Sequence, residues 1–346
     1  MTTSRVKPEV LEAARMLLDQ MGITAQDLLH TPGVRPHVPT FGEYVPVVLA
    51  AIGAGAARTY GNYLRKVVDR WADRRLDDIT PTEVETLMRQ VQADAVQRRN
   101  FRGGTGAGEH LITALRCVYR RAVADRLIAD ADDPAKKVAK PRRPTSQRIA
   151  LPDERLGELV AAAATGGRDP ELDALIVRFH IETACRRGGL LRVRPMDLDV
   201  QQCLVMLREK GGTFRRQPVS PTLMTFLLHH VHQRGAPPDE QLLRYLTGGP
   251  VGRRRYDGLF TRIGRDLPWV VTQGVSAHWL RHTTLTWVER VYGYGVALAY
   301  AGHAESPNDT GTTARYVKAT LQEVATALAG LTGEPHPLAL SEEEAG

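Results

Sequence analysis

The chain has 346 residues, of which 42% are hydrophobic and 25% are charged, and this composition argues against the disordered and membrane-embedded classes of protein. Its formal net charge of +7 favours a polyanionic partner. Because the length exceeds the usual size of a single hydrophobic core, we expect two folded domains with extra segments at the ends.

The sequence also bears on the compartment of the protein. Charged residues interrupt the first 18 positions, where an export signal needs an apolar core. The uncharged run over residues 44–57 is shorter than the roughly 18 residues that a membrane-spanning helix needs. Three widely spaced cysteines, Cys117, Cys185 and Cys203, form no CxxC pair. We therefore predict a cytoplasmic protein with reduced thiols.

The first half of the chain predicts helices. Apolar residues recur at helical spacing over residues 8–30 and stop before Pro32, so we predict an appended N-terminal helical segment over residues 1–35. A fresh set of helices follows, ending with one over residues 109–127, and predicts a compact helical domain over residues 36–132.

Two helix starts in that domain carry strong local signals. Thr40 with Glu43, and Thr80 with Glu83, have the spacing of a capping box, in which each side chain satisfies a backbone N–H at the start of a helix. Pro81 suits a first helical position, where no N–H is needed. Helices are therefore expected to begin just after Thr40 and Thr80.

Basic residues follow the helical domain. We predict a basic linker over residues 133–148, which Pro141, Pro144 and charge repulsion would keep extended. It could be a solvated linker or a strap lying across a nucleic-acid duplex, and the sequence leaves both open. The candidate phosphate ligands on the helices and the linker are Arg65, Lys66, Arg116, Arg120, Lys136, Lys137, Lys140, Arg142 and Arg143.

The remainder predicts a second, mostly helical domain over residues 149–333. Short β-like runs over residues 203–207 and 214–219 flank a lysine and two glycines, which predicts a β-hairpin. Residues 334–346 are rich in proline and glutamate, and we predict a disordered acidic tail.

Four stretches of this domain carry arginine, lysine, histidine and tyrosine in suggestive patterns. In chain order they are Thr183-Ala184-Cys185-Arg186, Glu209-Lys210-Gly211-Gly212, His278-Trp279-Leu280-Arg281-His282-Thr283, and the stretch from Gly302-His303 to Thr312-Thr313-Ala314-Arg315-Tyr316. In this order and spacing they resemble the boxes of the tyrosine recombinases of the phage integrase type. The helical domain resembles the core-binding domain of the same family.

The resemblance implies a reaction at the DNA backbone. Tyr316 would attack the scissile phosphate and form a 3′-phosphotyrosine, with His278 as the candidate base. Lys210 would protonate the leaving 5′-oxygen. Because the bond energy is kept as a phosphodiester, rejoining would need no metal, ATP or other cofactor.

Cationic side chains would stabilise the transition state of that reaction. Arg186 and Arg281 would bind the nonbridging oxygens, since their planar guanidinium groups match phosphate geometry, and His303 would add a donor. The chain departs from the family in two places. Gly189 stands where the family usually has an acidic residue, and residues 305–311 look like an insertion before Tyr316.

The fold implied by the resemblance is mainly α, with a small β-hairpin or sheet in the catalytic domain, and forms a two-domain DNA clamp. The implied partners are double-stranded DNA and, on paired DNA sites, three further copies of the chain in a homotetramer. The helix predicted over residues 319–331 could dock in a neighbouring copy or in its own domain. Accessory DNA-bending proteins are a further class of partner.

Other interpretations remain open. A type IB topoisomerase shares the tyrosine and the cations but relaxes DNA, and a DNA-binding regulator could use a catalytically degenerate form of the same scaffold. His229, His230 and His232 could supply metal ligands, but no cysteine or suitably spaced carboxylate completes a site. We predict no metal site and expect these histidines on a helix surface.

Overall fold

The chain divides into two structural units. The computed structural model describes residues 8–22, 24, 38–96, 103–142, 149–209, 212–302 and 319–340. The first unit covers Met1–Thr145 and the second covers Ser146–Gly346. The boundary falls inside the predicted basic linker.

The first unit is helical. Its helices are α1 (Pro8–Gln20), α2 (Phe41–Ala51), α3 (Ala54–Trp71), α4 (Pro81–Ala93), α5 (Thr105–Ala124) and the short α6 (Pro134–Lys137). Helices α2 to α5 share one hydrophobic core, with Phe41, Leu64, Leu111 and Tyr119 fully enclosed. In α1, Leu11, Met16 and Leu17 are exposed, and the appended segment over residues 1–35 stays a prediction.

Both predicted capping boxes are present. The hydroxyl of Thr40 accepts from the Glu43 N–H and the Glu43 carboxylate accepts from the Thr40 N–H. Thr80 and Glu83 make the same pair of bonds at the start of α4. Each box satisfies N–H groups that a helix start leaves without an internal partner.

The predicted start of the linker at residue 133 is wrong. Asp133 caps α6 by accepting from the Lys136 N–H at 3.0 Å, and Pro134 takes the first helical position. Ala135 and Val138 are buried in the core of the first unit. The charge of the two lysines suggested an extended segment, but an aspartate before a proline is itself a helix-start signal, so the linker begins after Val138.

The second unit is mainly helical with one small sheet. Its helices are α7 (Asp153–Thr165), α8 (Pro170–Thr183), α9 (Arg187–Leu190), α10 (Pro221–Arg234), α11 (Arg254–Asp266), α12 (Pro268–Gln273), α13 (Ala277–Ala301) and α14 (Leu321–Thr332). Its strands are β1 (Leu198–Asp199), β2 (Leu204–Arg208) and β3 (Phe214–Pro218). Among the described residues, no helix combines the length and the apolar character needed to cross a membrane.

The sheet contains the predicted hairpin. Strands β2 and β3 are antiparallel, with Leu204 opposite Pro218 and Arg208 opposite Phe214. Strand β1 extends the sheet on the other side of β2. The Glu209 N–H donates to the Thr213 carbonyl at 2.8 Å, so Glu209 lies at the closed end of the hairpin.

Helix α14 packs on its own chain. It buries Val324 and Leu328 in a cluster with Val288 and Val296 of α13. Helix α13 itself breaks at Gly293, whose φ of 85° and ψ of 168° are not helical. In the single chain, α14 therefore packs within the second unit.

The prediction of a disordered tail from residue 334 is wrong for residues 334–340. Gly333 ends α14 in a left-handed conformation, and the Glu334 carboxylate then accepts from the Thr222 N–H in the first turn of α10 and from Arg178. His336 is buried, with Nε2 3.2 Å from the Cys203 carbonyl oxygen. The acidic composition is typical of a disordered tail, but here the Glu334 carboxylate binds an arginine and the N–H group at the start of a helix.

Candidate active site

Arg186 lies at a tight junction between two helices. Helix α8 ends at Thr183, Ala184 adopts a left-handed conformation with φ of 47°, and Arg186 is the residue immediately before α9. Buried His180 donates from Nδ1 to the Cys185 carbonyl at 3.1 Å and thereby supports the turn. The junction leaves the Arg186 side chain 40% exposed.

Arg281 joins three of the sequence boxes. It lies on α13 and is buried, and its guanidinium donates to the carbonyl oxygens of Ala184 and Ala301. Ala184 belongs to the box of Arg186, and Ala301 immediately precedes the Gly302-His303 box. Burial, together with the positive charge of Arg186, lowers the pKa of Arg281 to about 10.

Glu209 is a buried carboxylate between arginines. Its Oε2 lies 2.5 Å from Nη1 of Arg186, and its Oε1 lies 3.5 Å from Nη2 of Arg215. Burial raises the pKa of Glu209, but the hydrogen bond from Arg186 and the charge of Arg215 outweigh it, so the net pKa lies below the ordinary value. Glu209 is therefore ionised at neutral pH.

Arg215 is a further arginine of this cluster, which the sequence motifs did not indicate. It extends from β3 and donates to the carbonyl oxygens of Tyr300 at 2.7 Å and Thr183 at 3.1 Å. Its side chain is only 12% exposed, and burial lowers its pKa. The sequence contains a weak signal for this role. Side chains alternate between the two faces of β3, and an arginine on the buried face of a short strand requires carbonyl or carboxylate partners.

Gly302 is required by its surroundings. Its φ is 62°, in the left-handed region that ends α13. A Cβ atom at this position would lie 2.3 Å from Cδ of Arg215. The glycine of the Gly-His box thus lets the chain turn against the Arg215 side chain.

The other predicted catalytic residues are distributed as follows. His278 is exposed in the first turn of α13, one turn before Arg281. Lys210, His303 and Tyr316 lie outside the described residues. The structure thus brings Arg186 and Arg281 to one place, together with Glu209 and Arg215.

The predicted DNA-contacting residues differ in accessibility. Lys66 is half-buried, and Arg143 lies outside the described residues. Exposed side chains occur at Arg65, Arg120, Lys136, Lys137, Lys140 and Arg142. Lys136 also pairs with Asp130 at 2.7 Å, and both partners are exposed.

Arg116 makes contacts within the first unit. Its guanidinium is half-buried and donates to the carbonyl oxygens of Ala135 at 3.0 Å and Val138 at 2.8 Å. These bonds hold the end of α6 on the helical core. Arg116 therefore anchors the start of the linker, and its contact with DNA stays a prediction.

The histidines of α10 do not all lie on the helix surface. His229 and His232 are exposed, but His230 is buried and its Nε2 accepts from the Arg244 N–H at 3.1 Å. The expected surface position of His230 is therefore wrong, because the loop after α10 covers it. Within the described part of the chain, no three His, Cys, Asp or Glu side chains form a group that could hold a metal ion.

Comparison with known sequences identifies a family and a relative. The model of the phage integrase family matches residues 150–323. The tyrosine recombinase XerC of Chlamydia caviae is 23% identical over 206 residues, which cover 58% of this chain and 64% of that relative. The chain therefore spans just under two thirds of the length of the curated relative that it matches.

Comparison with solved structures shows a shared fold. A lambda integrase tetramer bound to a Holliday junction superposes with a TM-score of 0.60 at 15% identity, covering 86% of this chain and 88% of that chain. The Tn1549 transposon integrase in complex with circular intermediate DNA gives a TM-score of 0.60 at 15% identity, covering 82% and 96%. At 15% identity, these superpositions show that the fold is shared and nothing more.

Proposed function

The chain belongs to the phage integrase family, and we propose that it is a site-specific DNA recombinase that cuts and rejoins strands through a covalent bond to Tyr316. The relative from Chlamydia caviae is named as a tyrosine recombinase. The structural neighbours include integrases bound to DNA. These likenesses support double-stranded DNA as the substrate.

One observation carries the proposal most strongly. The Arg281 guanidinium binds the carbonyl oxygens of Ala184 and Ala301, so boxes that are more than a hundred positions apart in the sequence meet around one side chain. Arg186 follows Ala184 by two residues, and its half-buried side chain lies near enough to Arg281 to lower the pKa of that residue. Together with Arg215, these arginines set three positive charges against the single Glu209 carboxylate, and the excess positive charge favours a further anion.

In the proposed reaction a phosphodiester is that anion. The Tyr316 oxygen attacks the phosphorus atom, the bond to the 5′-oxygen breaks, and the product is a 3′-phosphotyrosine with a free 5′-hydroxyl. Arg186, Arg281 and His303 stabilise the negative charge on the nonbridging oxygens of the transition state. His278 accepts the phenolic proton, because a phenol with a pKa near 10 is otherwise a weak nucleophile at neutral pH.

The remaining steps restore the DNA. Lys210 donates a proton to the leaving 5′-oxygen. A 5′-hydroxyl of a second DNA end then attacks the phosphotyrosine, which releases Tyr316 and conserves the number of phosphodiester bonds. No energy source is consumed in this exchange, and the cations of the chain supply the charge stabilisation.

The working assembly that we propose is a homotetramer on paired DNA sites. Strand exchange between two duplexes requires four cleavages, and a lambda integrase tetramer bound to a Holliday junction shares the fold. Helix α14 packs in cis in the single chain. In the proposed tetramer the same apolar face would dock in a neighbouring copy, since exchange of an element between identical protomers replaces each contact with an equivalent one.

Trapping a covalent complex tests the proposed activity. The substrate is a nicked duplex made from the DNA that flanks the gene, in which loss of a short strand after cleavage prevents rejoining. Wild type should form a protein–DNA adduct that resists denaturation, in EDTA as well as in buffer. Tyr316→Phe should bind the same duplex without forming the adduct, because only the phenolic oxygen is removed.

A matched control uses a second tyrosine. Tyr294 is exposed on α13, and Tyr294→Phe should form the adduct at the wild-type rate. Adduct formation by Tyr316→Phe would exclude Tyr316 as the nucleophile. Relaxation of supercoiled plasmid without exchange between two sites would instead identify a topoisomerase, and DNA binding without any adduct would identify a regulator.

A further inference from the structure

We propose that Glu209 is the positioning carboxylate of Arg186 and supplies from the β-hairpin the acidic group that is missing at Gly189. The proposal rests on the proposed recombinase function, in which Arg186 binds a nonbridging oxygen. Glu209 itself touches no reacting atom. It acts by fixing the direction of the guanidinium.

The contact is short and enclosed. Glu209 Oε2 lies 2.5 Å from Arg186 Nη1, and the Glu209 side chain is only 1% exposed, whereas the Arg186 side chain is 40% exposed. One end of the guanidinium is therefore held against a buried anion, and the side chain still reaches the surface. A charge-assisted hydrogen bond of this kind restrains a long, flexible side chain to one geometry.

Position 189 and Glu209 share the same space. A Cβ atom at Gly189 would lie 3.6 Å from Glu209 Oε1 and 3.7 Å from the Cβ atom of Cys185, which are ordinary van der Waals separations. A carboxylate on residue 189 would therefore reach the region that the Glu209 carboxylate now fills. Two acids there would repel each other, so one carboxylate at either position satisfies the site.

The charges around Glu209 explain why an acid is needed. Arg186 and Arg215 both make ion pairs with it, and Arg281 lies near enough for its pKa to be affected by the Glu209 charge. Without an anion, three guanidinium groups would repel one another in a partly buried region. With it, Arg215 stays on the Thr183 and Tyr300 carbonyls, and Arg186 is held by the Glu209 carboxylate.

The position of Glu209 has a second consequence. It follows β2 directly and closes the hairpin through its backbone bond to Thr213, and it precedes Lys210 in the chain. The bond from Glu209 to Arg186 thus ties the hairpin that carries Lys210 to the helix junction that carries Arg186. An acid at position 189 would orient Arg186 without making this link.

A second-site rescue tests the inference. The variants are Glu209→Gln, Gly189→Asp and the double variant, compared with wild type on the nicked duplex of flanking DNA. Single-turnover adduct formation is measured separately from equilibrium binding and from thermal unfolding. Glu209→Gln should slow adduct formation by about 10- to 100-fold, the scale expected for one lost charge-assisted hydrogen bond, with little change in the DNA Kd.

The double variant distinguishes positioning from general stability. Gly189→Asp alone should lower activity, because it adds a second carboxylate beside Glu209. In the Glu209→Gln background the same substitution should raise activity, by about tenfold on the same scale. This reversal of sign requires that the two positions serve one guanidinium.

Asp173 provides a matched structural control. It is a buried carboxylate that bridges Arg255 at 2.7 Å and Arg262 at 3.0 Å within the same unit. Asp173→Asn should lower the unfolding temperature as much as Glu209→Gln does, while the folded protein forms the adduct at the wild-type rate. Equal rates for Glu209→Gln and wild type, or failure of Gly189→Asp to rescue, would overturn the inference.

A separate readout keeps the two proposals distinguishable. Nitrogen-15 relaxation of the Arg186 Nε–H group reports the order of the guanidinium with no substrate present. It should be ordered in wild type, mobile in Glu209→Gln and ordered again in the double variant. If wild type forms no adduct, the proposed function fails, and the relaxation data still decide whether Glu209 holds Arg186.

Discussion

Gly302→Ala should destabilise the second unit far more than an alanine at an equivalent helix end. The added methyl carbon would lie 2.3 Å from Arg215 Cδ, and Arg215 is too enclosed to move aside without losing its bonds to the Tyr300 and Thr183 carbonyls. Each buried group left without a partner costs about 1–3 kcal/mol. The left-handed φ of 62° adds roughly 1 kcal/mol for any residue with a Cβ atom.

Gly235→Ala isolates the steric part of this cost. Gly235 ends α10 with the same φ of 62°, but a Cβ atom there has nothing within 4 Å. We therefore expect Gly235→Ala to cost roughly 1 kcal/mol and Gly302→Ala to cost about 2–5 kcal/mol more. Urea unfolding of both variants measures the difference. Equal losses would show that the turn conformation alone, and not contact with Arg215, requires glycine at position 302.

Two further predictions concern the linker and a buried histidine. Replacing four cations of α6 and the linker with glutamine should weaken binding to all DNA sequences, and should flatten the salt dependence by about 0.9 per lost phosphate contact. Exchanging lysine and arginine at these positions should preserve both the affinity and the salt dependence. An unchanged salt dependence in the glutamine variant would show that these residues do not contact DNA. The positions are Lys136, Lys137, Arg142 and Arg143. Burial lowers the pKa of His230 to about 4, below its unfolded value near 6.5. Between these two values the unfolded state binds a proton that the folded state does not. The free energy of unfolding should therefore fall as the pH drops from 6.5, by roughly 2 kcal/mol at pH 5. His230→Gln keeps an acceptor for the Arg244 N–H but cannot titrate, so urea unfolding at pH 7 and pH 5 should show a smaller loss, and an equal loss would exclude His230 as the cause.

The helical part of the fold could be predicted because its signals are local. The boxes at Thr40 and Thr80 depend on residues three positions apart, and the hairpin depends on two short β-like runs on either side of two glycines. The end of the first unit's hydrophobic core at Val138 and the contacts of Glu334 could not be predicted in this way, although Asp133 before Pro134 marks the start of α6. There, long-range contacts with the helical core and with Arg178 outweigh a composition that is typical of linkers and tails.

The candidate site could also be predicted only in part. Motif order predicted Arg186 and Arg281, since the types and local spacing of those residues are visible in the sequence. The partners of these arginines are not visible, because a carbonyl acceptor such as that of Ala184 carries no residue signature. Glu209 and Arg215 also depend on how β2 and β3 meet α8 and α9.

Gly189 illustrates why an isolated departure from a motif can mislead. Taken alone, the missing carboxylate at Gly189 argues that Arg186 has lost its partner and that catalysis is impaired. The structure places Glu209 Oε1 where a side chain on residue 189 would point, so the charge of the site is kept although its position in the sequence has changed. What a site of this kind must preserve is the balance of three guanidinium groups and one buried carboxylate, and more than one residue can supply that carboxylate.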